Sequence, residues 1–403
     1  MSNINLRSKK TICYVLSAIF FCAFEALSAV SSPDPDNAAL LYYQAFLLRP
    51  ELDSDTFLHF DSVLRGAEPD EDVREYLDMV QTREAIKIAA AATEILDCSW
   101  GIIRSEGGYS LDAVSGELRQ LVFLLEVDAR TFVADGDYRA ALDRCLSIRR
   151  LAQHIADEGL IGYLVSMSYQ WRAFHCIEYV LSSMSPDTDT LLWLQAQLGT
   201  IQGAPPSPGR AMEITLDDNL ELYRTNPELL ESWRENVLER IENDSARQEF
   251  LNLTDEEFLG RARWSSTSFL ASLNRVIGSD IPYQQKNVEF QELKEQRVNQ
   301  EGSDSADIPP YYMLDDVDDV IEYHDIFVTR LANFNAIRAA IEIYLVKAET
   351  GQLPDTLPDY LPKDPFSDQD FEYGITQEGF VLSCRIKATI AHKVQQYEFA
   401  IAQ

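Results

Sequence analysis

The chain has 403 residues, and its 66 acidic and 34 basic side chains give a formal net charge of −32. This acidic excess argues against binding to nucleic acids or to anionic membranes, since both need surfaces rich in Lys and Arg. A hydrophobic content of 46% is typical of a folded globular protein. We therefore expect protein partners and no nucleic acid.

Residues 1–29 have the pattern of a secretory signal peptide. Three basic residues lie within the first ten positions, an apolar run follows from Ile12 to Ala23, and small residues stand at Ala26, Ser28 and Ala29. The pattern predicts export to the periplasm or cell envelope. The alternative is an uncleaved amino-terminal anchor in the inner membrane, which would be the chain's contact with a membrane.

Residues 33–202 are predicted to form a domain of antiparallel helical hairpins. Apolar side chains recur at helical spacing, and the short turns between the helices force neighbouring helices to run antiparallel. The predicted helices start at Asp36 or Asn37 and stop before Pro50, run from 70 to 97, from Ser110 or Asp112 to Phe132, from Tyr138 to Asp157 and from Leu160 to Ser182, and resume after Pro186.

One of these hairpins resembles a tetratricopeptide repeat, a unit of about 34 residues. Small and apolar residues flank a tight turn at Gly136. They are Leu125, Ala129 and Phe132 on the first helix and Ala141, Cys145 and Ile148 on the second. The resemblance covers a single hairpin, and the alternative is an ordinary packed helical pair. A true repeat would form a concave surface that binds peptides.

Residues 203–310 are predicted to be an acidic helical region with linkers. The segment GAPPSPG, residues 203–209, has the composition of a linker, and Thr254 is placed to cap a helix that begins with acidic residues. The polar segment from Lys294 to Pro310 ends in two prolines, and we expect it to be an exposed loop.

Residues 311–403 are predicted to be one long helix followed by a small antiparallel sheet. The helix runs from Asp315 to Glu349 and ends at Gly351, after which closely spaced prolines exclude both helix and central strand. Apolar and polar residues then alternate in three short runs, which indicates three strands with one buried face. The runs are Phe371, Tyr373 and Ile375; Phe380, Leu382, Cys384 and Ile386; and Tyr397, Phe399 and Ile401. The predicted fold class is therefore mainly α, with a small carboxy-terminal α+β unit.

About 60 residues at the carboxy terminus resemble the carboxy-terminal part of the major pseudopilins of type II secretion. The matching residues are Tyr344, Gly351, Pro354, Leu357, Asp364, Pro365, Phe366, Tyr373 and Ser383. The resemblance implies a structural module and an accessory role in a secretion or pilus-like apparatus. The amino terminus differs from that family, since it has no prepilin cleavage site. The NAALLYYQAF stretch also resembles the start of exported bacterial helical proteins of unknown function, and this likeness implies no activity.

Some pseudopilins bind calcium near this sheet, so the resemblance implies a candidate calcium site. Its oxygen ligands would come from Asp355, Asp359, Asp364, Asp368 and Asp370. Their spacing does not match the twelve-residue calcium-binding loop, and the alternative is a solvated acidic loop. The sequence leaves the question of a metal open.

The densest ionisable cluster is LDDVDDVIEYHD, residues 314–325. Asp315, Asp319 and Glu322 share one helical face, and His324 and Asp325 are close in sequence, so metal ligation or acid–base chemistry is one interpretation. On a helix, however, His324 lies away from the face of Asp315. Acidic residues are also typical of a helix start, and we favour that structural interpretation.

The other histidines, His59, His154, His175 and His392, show no catalytic spacing. The sequence has no nucleophile elbow, phosphate-binding loop or zinc motif. We therefore assign no catalytic residue, no cofactor-binding residue and no cofactor, and we lean against an enzyme.

Four cysteines lie beyond the predicted signal, namely Cys98, Cys145, Cys176 and Cys384. They form no CxxC pair, and three fall in predicted helices, where Cys behaves as a small apolar residue. An exported protein can carry disulfides, but a chain of this length does not need one. The sequence favours free thiols and leaves the pairing open.

These observations support three hypotheses about function. The first is an exported, non-catalytic helical scaffold or protein-binding module, which predicts a groove without clustered catalytic groups. The second is an envelope hydrolase with paired carboxylates, which requires a deep pocket that holds carboxyl groups with raised pKa values. The third is the accessory role in a secretion or pilus-like apparatus.

Overall fold

The computed structural model describes residues 36–101, 111–201, 207–241, 244–301, 317–389 and 393–401. Within these residues the chain forms fourteen helices and one three-stranded sheet, which confirms the predicted fold class. The helices are α1 (Ala38–Leu48), α2 (Ser54–Leu64), α3 (Glu71–Asp78), α4 (Val80–Ala92), α5 (Leu111–Ala134), α6 (Tyr138–Ala156), α7 (Gly159–Ser183), α8 (Thr188–Thr200), α9 (Pro208–Thr225), α10 (Pro227–Arg240), α11 (Asp244–Leu251), α12 (Asp255–Ile277), α13 (Tyr283–Glu301) and α14 (Val317–Thr350). The strands are β1 (Glu372–Ile375), β2 (Gly379–Ser383) and β3 (Gln396–Ala400). The predicted signal segment, 1–29, lies outside the described residues.

Short polar side chains fix the starts of several helices. Asn37, one of the two predicted residues, caps α1, and Asp137 caps α6. Thr254 and Glu257 form a reciprocal capping box at the start of α12. Each cap satisfies backbone N–H groups that have no partner inside the helix, so these boundaries follow directly from the local sequence.

The single helix predicted over 70–97 is wrong, because the chain forms α3 and α4 there. The two helices are separated at Met79, whose backbone is extended (φ −56°, ψ 138°). The buried stripe of α3 ends at Leu77, and Val80, the next position in that stripe, is 75% exposed. The buried residues of α4 start at Thr82 on a different face. The break lets both stripes face the core, which one straight helix would not allow.

Two further helical segments differ from the sequence analysis. The first is α2, which the sequence analysis does not predict, and the second is the end of α13. The Asp53 carboxylate accepts a hydrogen bond from the Thr56 N–H at 2.8 Å and starts α2, which buries Phe60. α13 extends to Glu301, so the first part of the predicted loop from Lys294 to Pro310 is helical. This part is rich in Glu, Gln, Lys and Arg, which are good helix formers.

Three large apolar clusters form most of the core of the described residues. One joins α1–α5 to α6 and α7, the second joins α5–α8 to α14 and the sheet, and the third joins α9–α13 to the start of α14. α14 has 34 residues and is about 51 Å long, so it reaches two of these clusters. Packing therefore crosses the boundaries between the predicted segments 33–202, 203–310 and 311–403. None of the described helices is long and apolar enough to span a bilayer.

The sheet has the order β1–β2–β3 with antiparallel neighbours, and Phe380 lies opposite Phe399. Its buried face packs on α14, where the Tyr344 hydroxyl donates a hydrogen bond to the carbonyl oxygen of Ala400 at 2.5 Å. The Ala400 N–H donates to Ser182 Oγ on α7 at 3.2 Å. The edge strand β3 is therefore attached to both long helices.

A buried aspartate organises the proline-rich segment between α14 and β1. α14 ends at Gly351 with φ +79°, as predicted, a left-handed conformation that Gly adopts at little cost. Asp364 is fully buried. Its carboxylate accepts hydrogen bonds from the Phe366 N–H at 3.0 Å, the Ser367 hydroxyl at 2.6 Å and the Arg385 N–H at 2.9 Å. These bonds fix the turn before β1 to the end of β2.

Cys145 and Cys176 form a disulfide between α6 and α7, with a Cα–Cα distance of 5.7 Å. Both residues are fully buried. The expectation of free thiols is therefore wrong for this pair, whereas Cys98 and Cys384 are free. Helical periodicity buries both residues of the pair but does not show that they face each other.

Candidate functional site

A cavity of about 550 Å³ lies between α2, α5, α7 and the edge strand β3. Each helix lines it with residues three or four positions apart, which share one helical face. We call it the α7 cleft. Its lining residues are Phe57, Phe60, Asp61 and Leu64 on α2, Phe123, Glu126 and Arg130 on α5, Trp171, Arg172, His175, Glu178, Tyr179 and Ser182 on α7, and Glu398 on β3.

A buried carboxylate holds two arginines in the wall of the α7 cleft. Glu126 is only 4% exposed. Its Oε2 lies 2.9 Å from Arg172 Nη1, and its Oε1 lies 3.6 Å from Arg130 Nη2. Arg130 also donates to the carbonyl oxygen of Val63 on α2 at 3.3 Å. Glu126 is the shared anion of both guanidinium groups, and its loss would leave two buried or half-buried cations without a partner carboxylate.

Aromatic rings fix the same two guanidinium groups. The Arg130 guanidinium carbon lies 4.4 Å from the centre of the Tyr179 ring, and that of Arg172 lies 4.3 Å from the centre of the Phe123 ring. Both distances are within the range of cation–π contacts. The arginines are thus held by Glu126 and by ring faces at the same time, and their positions are well defined.

Exposed rings lie at the mouth of the α7 cleft. Phe57 is 43% exposed and Trp171 is 41% exposed. The His175 ring packs against Trp171 edge to face with 4.3 Å between ring centres, and its Nδ1 lies 3.2 Å from Glu178 Oε2. The mouth therefore combines apolar rings with a carboxylate that is 21% exposed.

A smaller cavity of about 70 Å³ adjoins the α7 cleft, and Trp171, His175 and Glu178 line both. It lies between α7, α14 and the sheet. On its α14 side, Arg330 Nε donates to the carbonyl oxygen of Met167 at 2.9 Å, and burial lowers the pKa of the Arg330 guanidinium to about 10. α7 therefore separates two concave surfaces with shared residues.

The predicted histidines occupy different environments. His175 lines the α7 cleft, and His392 lies outside the described residues. His154 Nδ1 lies 2.9 Å from the Tyr42 hydroxyl, and burial lowers the pKa of this histidine. Of these histidines, the structure describes His59, His154 and His175, and these three do not form a common site.

His59 is part of an exposed ion-pair cluster at the start of α3. Its Nδ1 lies 2.5 Å from Asp70 Oδ2, and its Nε2 lies 3.5 Å from Asp72 Oδ2. The hydrogen bond to Asp70 raises the pKa of His59. Asp70 also accepts from the Val73 N–H at 3.0 Å as the helix cap. The ligand atoms are close enough for a metal ion, but the capping role already explains the cluster.

The acidic cluster at the start of α14 is divided between surface and core. Asp315 lies outside the described residues, and Glu322 is exposed. His324 is 1% exposed, and among the described residues neither of its ring nitrogens has a hydrogen-bond partner. Burial lowers the pKa of His324 to about 4. Asp325 accepts a hydrogen bond from the Tyr283 hydroxyl. The geometry supports the structural interpretation of this cluster, in which the acidic residues belong to a helix start and not to a catalytic or metal site.

The aspartates of the candidate calcium site do not converge. Asp364 uses both carboxylate oxygens for hydrogen bonds within its own turn and the end of β2. Asp355, Asp359 and Asp368 are exposed. Among the side chains that the structure describes, these residues form no group of three ligand atoms within 4.8 Å.

Comparison with protein-family models, with curated proteins and with solved structures finds no match to this chain. The resemblance of the carboxy-terminal segment to pseudopilins therefore stays a prediction.

Apart from His175, the residues that build the α7 cleft are not among the candidates that the sequence predicts. One signal for them exists, since Glu126 and Arg130 interrupt the apolar run from Leu121 to Val133. Charged residues inside a buried stripe are rare unless they are paired. The partner, Arg172, is 46 residues away from Glu126 and belongs to a different hairpin, so local periodicity does not identify it.

Proposed function

We propose that this protein is an exported, non-catalytic helical scaffold whose α7 cleft binds a segment of a partner protein. The observation that carries the proposal is the concave surface itself. It has a volume of about 550 Å³, a wall in which Glu126 pairs with two arginines, and exposed rings at Phe57 and Trp171. Exposed aromatic residues around a preformed cavity are typical of binding hot spots.

The position of the cleft also supports binding. α5, which contributes Glu126 and Arg130, is the first helix of the hairpin that resembles a tetratricopeptide repeat. The turn at Gly136, with φ +79°, joins it to α6. Helical hairpins of this kind bind extended peptide segments when they form concave surfaces.

An envelope hydrolase has less support from this geometry. A general acid must present a free carboxyl group to its substrate, but the Glu126 carboxylate is already paired with Arg172 at 2.9 Å and with Arg130 at 3.6 Å. Burial does raise the pKa of Asp128. That carboxylate is bonded to Arg144 Nε at 2.7 Å and is not among the described residues that line the cleft.

Export is supported by two independent features. The first 29 residues have the composition of a secretion signal. The disulfide between Cys145 and Cys176 is of a kind that persists in oxidising compartments. Both features fit a protein that functions in the periplasm or cell envelope.

The proposal is tested by selecting short random peptides on the full chain. Trp171→Ala should weaken the binding of selected peptides by about tenfold or more, as removal of a hot-spot aromatic does. Trp264→Ala is the matched control, because Trp264 is 73% exposed on α12 and lies outside the cleft. Peptides that bind the wild-type chain and the Trp171→Ala variant equally well would contradict the proposal.

A further inference from the structure

The mouth of the α7 cleft has an excess of negative charge. Four carboxylates and two guanidinium groups line the cavity. We infer that the cleft takes a partner segment that carries a Lys or Arg side chain next to an apolar residue. The inference rests on the proposed function, because it specifies the chemistry of the bound segment.

The two guanidinium groups that line the cleft are already paired within the protein. Arg130 and Arg172 both lie against Glu126, at 3.6 Å and 2.9 Å. Each also covers the face of an aromatic ring, Tyr179 or Phe123. Together with Glu126 they leave one positive charge in the wall, against the negative charges of the three remaining carboxylates.

Those three carboxylates are at least partly accessible from solvent, and the most covered of them is Glu178, whose side chain is 21% exposed. Glu398 is exposed on β3, and the side chain of Asp61 on α2 is 38% exposed. Asp61 pairs with Arg65 at 2.8 Å, but the Arg65 side chain is 78% exposed, and such surface pairs contribute about 0–1 kcal/mol. Glu178 pairs with His175, whose side chain is 48% exposed. An incoming cation can therefore replace these partners at small cost.

The rings at the mouth suit the remainder of such a segment. Phe57 and Trp171 expose a large part of their surface beside Glu178 and Glu398 in the same cavity. An aromatic face attracts an ammonium or guanidinium group and also covers the aliphatic part of a Lys or Arg side chain. Apolar rings next to carboxylates therefore recognise the two parts of a basic side chain and its apolar neighbour.

The charge of the whole chain also favours the binding of a basic segment. A net charge of −32 attracts basic partners and repels acidic ones over distances longer than a direct contact. This long-range attraction speeds association at low salt and weakens as ionic strength rises. Recognition of a basic segment should therefore depend strongly on salt.

The test uses the full chain and three pools of synthetic peptides with the same apolar residues. One pool is basic, one is neutral and one is acidic, and binding is measured by fluorescence anisotropy at low and high NaCl. The basic pool should bind tightest, and its affinity should fall as NaCl rises. Glu178→Gln and Glu398→Gln should each weaken the basic pool by about threefold, the effect of one exposed charge pair. Glu235→Gln, at an exposed position of α10, is the matched control and should change nothing.

The outcomes separate this inference from the proposed function. If the neutral or acidic pool binds as tightly as the basic pool, and Trp171→Ala abolishes that binding, the inference of a basic segment is overturned. The proposed function is not affected by this result. A dimer of the chain that dissociates on Trp171→Ala, without binding of the basic pool, would also overturn the inference of a basic segment. If Trp171→Ala changes the binding of none of the pools, both statements fail. Thermal unfolding of each variant checks that the fold is retained.

Discussion

Cys145 on α6 and Cys176 on α7 are joined by a disulfide between two fully buried positions, 31 residues apart in sequence. A cross-link of this span reduces the conformational entropy of the unfolded chain. The double variant Cys145→Ala/Cys176→Ala should therefore lower the free energy of unfolding by about 3–4 kcal/mol. Guanidinium denaturation of wild type and variant measures the difference.

Cys98→Ala is the control for this experiment, because Cys98 is free and only half-buried. It should change the free energy of unfolding much less than the double variant does. The bond itself is checked by alkylation of the native and of the unfolded, unreduced chain, followed by mass measurement. Labelling of Cys145 and Cys176 in the unreduced chain would refute the bond.

The carboxylate of Glu126 should be essential for the stability of the α7 cleft. Glu126→Ala leaves Arg130 and Arg172 without their shared anion in a largely buried wall, and we expect a loss of about 3–5 kcal/mol of stability. Glu84→Ala is the control, since its pair with Lys87 is 3.8 Å long and exposed. Urea denaturation should show a change of about 0.5 kcal/mol or less for the control, and equal losses in the two variants would contradict the role of Glu126.

Asp364 should be the residue of the proline-rich segment that is most sensitive to substitution. Asp364→Ala removes the acceptor of three hydrogen bonds in a buried turn, and the expected loss of stability is about 2–4 kcal/mol. Hydrogen exchange should also become faster at the amides of Phe366 and Arg385. Asp355→Ala, at an exposed position, should leave both measurements unchanged.

His324 should make the protein less stable in acid. Its pKa is about 4 in the folded chain, below the ordinary value of 6.5, because burial disfavours the charged form. The unfolded chain therefore takes up a proton first as pH falls through 6.5, and stability is lost between that pH and about 4. The loss from this one group is about 2 kcal/mol between pH 7 and pH 5. Urea midpoints across this range measure the loss.

His324→Phe should reduce that acid sensitivity, since a ring at this position packs against Tyr283, Phe290 and Phe327 without a titrating group. His59→Asn is the comparison. Asp70 raises the pKa of His59, so protonation of His59 does not oppose folding and its removal should not protect against acid. An acid sensitivity that is identical in wild type and His324→Phe would disprove this role of His324.

Local signals predict much of this fold. Thr254 caps α12, Gly351 ends α14, and alternation assigns Phe380 and Phe399 to the buried face of the sheet. These features depend on residues close together in the chain. The break at Met79 is different, because it adjusts two buried stripes to one core, and that requirement appears only when neighbouring helices are in place.

Like the break at Met79, the α7 cleft arises from the packing of elements that are distant in sequence. Glu126 and Arg172 come together because α5 and α7 pack side by side, and Glu398 joins them because β3 is bonded to Ser182. Residue spacing shows that Glu126 is unusual within an apolar stripe. It does not show which of the 34 basic residues is the partner.

Contacts between α7 and α14 join residues that are far apart in sequence, and this separation bears on the order of folding. The Tyr163 hydroxyl, in the middle of the helical body, donates a hydrogen bond to the carbonyl oxygen of Tyr323, which is 160 residues further along the chain. Arg330 in turn donates to Met167. During synthesis, α7 must therefore wait for a helix that emerges much later, and such distant contacts slow folding. The surface of α7 that packs against α14 therefore stays uncovered until those later residues have been made.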